Sequence, residues 1–74
     1  MKNIRKTKAY KQMNNYAAVA TAEGFGGYED STEEERHAAW QYLIDKGLCW
    51  SLQGWYGRTA QELIENGLCS PANE

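Results

Sequence analysis

The side chains able to act as nucleophile, base or metal ligand are few, and they are widely spaced. His37 is the only histidine, and Cys49 and Cys69 are the only cysteines. A Ser/His/Asp or Cys/His arrangement could be built only around His37, whose place early in an expected helix reads as a plain surface residue. His37, Cys49 and Cys69 lie twelve and twenty residues apart in turn, without the close C-x-x-C or H-x-x-x-H pairs of structural zinc sites. The glycine-rich run Gly24, Phe25, Gly26, Gly27, Tyr28 lacks the Lys-Ser/Thr ending of a phosphate-binding loop and follows no strand pattern. Glu33, Glu34 and Glu35 cluster at a helix start, where they oppose the positive end of the helix dipole. The expectation is a non-enzymatic chain with no metal and no cofactor.

Recognition chemistry is better supplied. Trp50, Ser51, Leu52, Gln53, Gly54, Trp55, Tyr56, Gly57 and Arg58 form a segment in which two glycines bracket an aromatic pair. Aromatic residues and arginine are the types that anchor interfaces, so Trp55, Tyr56 and Arg58 are the candidate protein-binding residues. The same three could stack on bases and touch phosphate. Against both readings stands a structural one, in which Trp50, Leu52 and Trp55 complete a small core and Arg58 caps a helix carbonyl or pairs with Asp45. Trp40 and Trp50 are assigned to the core, while Trp55 and Tyr56 divide between core and interface.

Charge is segregated along the chain. Lys2, Arg5, Lys6, Lys8 and Lys11 all precede the first acidic residue, Glu23, after which ten carboxylates, Glu23 included, face only Arg36, Lys46 and Arg58. The basic segment is a candidate electrostatic arm, auxiliary to the aromatic site and suited to nucleic acid or an acidic protein surface. It also fits a solvated helix face with no partner.

The elements that must position these residues read as helices. Apolar spacing predicts a first helix over 7–23, stopped by Gly24, with Phe25 placed to fold back onto Ala20. Ser31 or Thr32, with Glu34 or Glu35 three residues on, predicts a capped second helix over 32–46, carrying the stripe Ala39, Trp40, Leu43, Ile44. Thr59 and Glu62 predict a third helix over 59–66 by the same capping logic. Gln41 to Cys49 and Gln61 to Cys69 align with Gln, Leu, Ile, Gly, Leu and Cys in common, so Gly47 and Gly67 should turn the same corner and bury the same Leu, Leu and Cys. The fold class is therefore mainly α, a small single domain of about three helices whose last two are joined by an aromatic, glycine-bracketed connector. Its parts are a basic N-terminal helix or arm (1–23), a Gly-rich loop (24–30), a helical module (31–69) and a short tail (70–74).

A chain of 74 residues is one domain and buries only about 60% of the surface its unfolded form exposes. Self-association would add apolar burial. No run approaches the ~20 apolar residues of a membrane span. The basic start leading to Ala17, Ala18, Val19 and Ala20 is interrupted by Gln12, Asn14 and Asn15 where a secretory signal needs its apolar stretch. A reducing compartment with free, buried thiols at Cys49 and Cys69 is expected.

Trp40, Gln41, Leu43, Ile44, Asp45 and Gly47, then Trp50, Leu52, Gln53, Gly54, Gly57, Arg58, Ala60, Leu63, Ile64 and Gly67, together resemble a short module of small, uncharacterised bacteriophage proteins. The resemblance spans about thirty residues, Ala39 to Cys69, and departs at Lys46, where that family often carries Thr. It implies a phage origin and action in a bacterial host cytoplasm, and small proteins of this type often redirect a host protein. The expected function is engagement and modulation of a host protein. Nucleic-acid binding, through the basic segment with Trp55, Tyr56 and Arg58, is the second reading, and a structural or self-assembling role is the third.

Overall fold

The computed structural model describes residues 4–52 and 54–72. After a 3-10 turn at Ile4–Lys6 come α1 (Lys8–Lys11), α2 (Asn15–Glu23), α3 (Glu33–Asp45), α4 (Leu48–Ser51) and α5 (Gly54–Glu65). The protein is mainly helical, with α2, α3 and α5 as its three long elements and no strand among the described residues.

Local capping chemistry sets the boundaries, and it divides the first predicted helix. Thr7 caps α1, its Oγ1 accepting from the Tyr10 N–H at 3.2 Å. Asn14 then takes an extended conformation, and its Oδ1 accepts from the Ala17 N–H at 2.8 Å. Asparagine is among the strongest N-cap residues because its short amide competes with the backbone for that N–H. A continuous helix over 7–23 is therefore replaced by two helices with a corner between them. α3 begins as its sequence requires, with Thr32 and Glu35 forming a reciprocal capping box.

α2, α3 and α5 end at Gly24, Gly47 and Gly67, all in the left-handed region with φ of 74°, 73° and 76°, where a side chain would be strained. The two C-terminal corners match in backbone and in their cysteines, since Cys49 and Cys69 are both buried. The leucines between differ. Leu48 packs against the core, whereas Leu68 is 46% exposed, because the chain enters α4 after Gly47 but runs on without helix through the described residues after Gly67.

The expected connector is helical. α4 occupies its first part, and α5 starts at Gly54, which leaves Thr59 inside the helix and not at its cap. Tyr56, Ala60, Leu63 and Ile64 supply the reason: they recur at helical spacing and all belong to or pack on the core. Gln53 lies outside the described residues.

α3 is the central element, with the 3-10 turn, α1, α2 and α4 packed against it. Ala17, Ala18 and Ala20 of α2 and Ala38 and Ala39 of α3 are buried, and these small side chains let the two helices approach closely. Leu43, Ile44 and Cys49 are fully buried beside Trp40, Tyr56 and Ala60. Trp40 is core as expected. Trp50 is not: it is 53% exposed, because the face of α4 that turns inward carries Cys49.

Candidate recognition site

The aromatic segment divides by depth. Trp55, half-buried, stacks on Tyr56 with ring centroids 4.1 Å apart and meets the Trp40 ring edge-on at 6.1 Å. Tyr56 is 2% exposed and donates its hydroxyl hydrogen to the Glu23 carboxylate at the end of α2. Burial, reinforced by that hydrogen bond, pushes the Tyr56 hydroxyl pKa well up. Tyr56 is thus a core residue and is corrected as a contact residue: its ring is needed against Trp40, and its polar atom already has an internal partner.

Trp50 takes its place at the surface. It lies over Gly57, where an added Cβ would sit 3.4 Å from the indole Cε3, so the glycine provides the flat floor on which the ring rests. Leu52, two residues on at the extended C-cap of α4, is 39% exposed. Arg58 is exposed on the neighbouring face of α5, close to Gly54, with no hydrogen bond or ion pair among the described residues. It does not pair with Asp45. The segment 50–58 therefore exposes an indole, a leucine and a guanidinium that has no partner among the described residues. Sequence reasoning missed the exposure of Trp50, and the signal available was the cysteine register: a helical turn that buries Cys49 turns Trp50 outward.

The basic segment also divides. Lys6, Lys8 and Lys11 are exposed, and Lys2 lies outside the described residues. Arg5 is not part of a free arm. Its Nε and Nη2 donate to the two oxygens of Asp45 at 2.8 and 2.7 Å, and Nη2 also donates to the Pro71 carbonyl at 2.9 Å. Tyr10 donates to Asp45 Oδ2 at 2.6 Å, and Gln41 Nε2 donates to Oδ1 at 3.0 Å. Gln41, itself fully buried, donates to the Ser70 carbonyl and accepts from the Ser70 N–H, both at 2.8 Å. Burial alone would raise the Asp45 carboxyl, but the hydrogen bonds from Arg5, Tyr10 and Gln41 outweigh it and hold the pKa below its ordinary value. Tyr10 is driven the other way, up to about 12, by burial and then by its bond to Asp45.

The nucleophile candidates are poorly placed for chemistry. Burial pushes the thiol pKa values of Cys49 and Cys69 up to about 11, which leaves almost no thiolate at neutral pH. Both are free and buried. Among the described residues no group of three His, Cys, Asp or Glu side chains is arranged to hold a metal ion, and no helix is long and apolar enough to cross a membrane.

Residues 27–74 match the family described as Domain of unknown function (DUF7417), and the chain belongs to that family. The matched region runs from the glycine loop through α3, α4 and α5, so it contains Trp50, Leu52 and Arg58 and leaves out the basic segment with α1 and α2. No curated protein and no solved structure matches the chain.

Proposed function

We propose that this chain is a small, phage-encoded, non-enzymatic binding protein that engages and modulates a host protein in the bacterial cytoplasm. The observation that carries the reading is Trp50, 53% exposed over Gly57, in a segment where Leu52 is 39% exposed and Arg58 is exposed with no hydrogen bond or ion pair among the described residues. Tryptophan supplies a large contact area at low conformational-entropy cost, and aromatic residues with arginine are the composition of an interface hot spot. Trp50, Leu52 and Arg58 make the contacts. Trp55 and Tyr56, in the helix that carries Arg58, pack with Trp40, and Lys6, Lys8 and Lys11 contribute a salt-dependent steering field.

Capture from bacterial lysate with immobilised protein tests this. A specific host protein should be retained by the wild type, survive nuclease treatment, and be lost with Trp50→Ala or Arg58→Ala while both variants stay folded. Capture that vanishes with nuclease, together with binding to bare nucleic acid that falls steeply with salt, would move the function to nucleic-acid binding. Retention of neither, with concentration-dependent sedimentation, would establish self-assembly instead.

A further inference from the structure

A cavity of about 140 Å³ opens between α1, α2 and the loop leading into α3, on residues the proposed interface does not use. Ala9, Met13 and Ala17 give it an apolar wall, and Thr21, Ser31 and Glu35 give it a polar one. Thr21 is only 3% exposed, yet its hydroxyl makes no hydrogen bond among the described residues. No fully enclosed side-chain polar atom lacks a partner among those residues, so the Thr21 oxygen is not sealed in protein and faces the cavity it lines. The Thr21 hydroxyl therefore takes its hydrogen-bond partner from whatever occupies the cavity, water or ligand.

From this we infer that the cavity binds a primary ammonium carried on a short alkyl stem, either the end of a lysine side chain from another protein or a free small amine. The size agrees, since a cavity on the order of 150 Å³ accommodates a benzene-sized group, and an alkyl stem of four carbons with its nitrogen is of that scale. The chemistry agrees as well. An ammonium has three donors and no acceptor. Thr21 Oγ1 has a vacant lone pair; Ser31 Oγ spends its hydrogen on the Tyr28 carbonyl and remains an acceptor; Glu35 supplies a carboxylate, of which Oε1 holds the Thr32 N–H. Glu29, Asp30, Glu33, Glu34 and Glu35 lie within the seven residues 29–35. Of these Glu35 lines the cavity, and no Lys, Arg or His is among the lining residues, so the field within it favours positive charge. The stem would lie along Ala9, Met13 and Ala17.

The test is an amide-shift NMR titration of the intact protein with butylamine, with butanol as the neutral counterpart and Nα-acetyl-lysine methylamide as the side-chain mimic. Saturable shifts centred on Ala17, Thr21, Tyr28 and Ser31 are expected with butylamine, with butanol at least about tenfold weaker because it lacks the charge-assisted bonds. Glu35→Gln, which keeps the capping acceptor, and Thr21→Val, which keeps the shape, should each weaken butylamine by roughly tenfold. If Thr21→Val disturbs the fold, Glu35→Gln alone decides. Binding of the lysine mimic as tightly as butylamine identifies a partner's lysine as the occupant; binding of butylamine alone identifies a free amine. No saturable shift, equal response to butanol, or shifts unaffected by Glu35→Gln would overturn the inference and leave the cavity as a water site.

Discussion

Arg5 and Asp45 are forty residues apart in sequence and meet through two N–H···O bonds of 2.8 and 2.7 Å, with side chains only 24% and 13% exposed. The pair closes the molecule: Arg5 also reaches Pro71, and Gln41, bonded to the same carboxylate, holds both polar backbone atoms of Ser70. Removing one member leaves a partly buried charge and several donors without a partner. Asp45→Ala should cost about 2–3 kcal/mol, somewhat less than a fully buried pair because water reaches part of both groups. Urea unfolding of the wild type, Asp45→Ala and Arg5→Ala checks this, and the double variant should lose far less than the sum of the two.

The same carboxyl gives the protein an acid limb. Its folded pKa lies below the ordinary 3.8, so its stabilising contribution is complete above the unfolded value and disappears as pH falls below about 4 toward the folded one. Thermal unfolding followed from neutral pH downward should show a steeper loss below that point than in Asp45→Asn.

On the alkaline side the sign reverses. The Tyr10 hydroxyl is raised from 10.0 to about 12 and that of Tyr56 is raised as well; a raised pKa means that the folded state favours the protonated form. The contribution is fully present below pH 10 and declines as pH climbs through about 12 for Tyr10. Tyrosinate absorbance should therefore show Tyr10 and Tyr56 ionising above the ordinary tyrosine value of 10.0. Tyr10→Phe should flatten the fall in stability above pH 10.

Much of the fold was legible because it rests on short-range chemistry. The Thr32–Glu35 box and the left-handed stops at Gly47 and Gly67 are each decided within a few residues, and the sequence spacing carries them. What escaped has two causes. Asn14 acts locally, but its competition with a helix is visible only when the apolar period around it is weak enough to break, as it is between Gln12 and Asn15. The Arg5–Asp45 and Tyr56–Glu23 bonds join distant segments, and no spacing rule links those positions. That is why Arg5 looked like part of an arm and Tyr56 like a contact. Trp50 was misassigned because tryptophan's bulk favours burial in general, whereas here Cys49 holds the inward position of a single-turn helix.

The cysteines provide a packing test. Cys49 is 1% exposed and Cys69 6%, so Cys49→Ala should be tolerated, while Cys49→Ser, which buries a hydroxyl in an apolar site, should cost about 1–3 kcal/mol. Native-state thiol labelling should be slow at neutral pH, as expected of two thiols raised to about 11, and should accelerate only under conditions that unfold the chain.

Gly57 separates stability from recognition. An added methyl would sit 3.4 Å from the Trp50 ring, an ordinary contact, and alanine favours a helix over glycine by up to about 1 kcal/mol. Gly57→Ala should therefore raise the melting temperature slightly and leave Trp50 in place. Gly57→Leu has no such room and should lift the indole from its floor, seen as a change in tryptophan fluorescence, with partner capture lost while the helical circular dichroism persists.

The three tryptophans make the sharpest contrast, because one residue type occupies three depths. Trp40 is 6% exposed at the centre of the core, in contact with the rings of both Trp55 and Tyr56. Trp40→Ala should cost about 3–5 kcal/mol, a large part of the stability available to so small a domain, and should leave the chain largely unfolded. Trp50→Ala removes a ring already half in water and should change stability by less than about 1 kcal/mol, yet lower partner affinity by at least about thirtyfold, the scale of an aromatic hot spot. Trp55→Ala, from a half-buried ring stacked on Tyr56, should fall between them in stability. Circular dichroism melts set beside capture assays on the three variants decide the matter. If Trp50→Ala binds as well as the wild type, the recognition face lies elsewhere; if it unfolds, Trp50 belongs to the core and its exposure has no functional meaning.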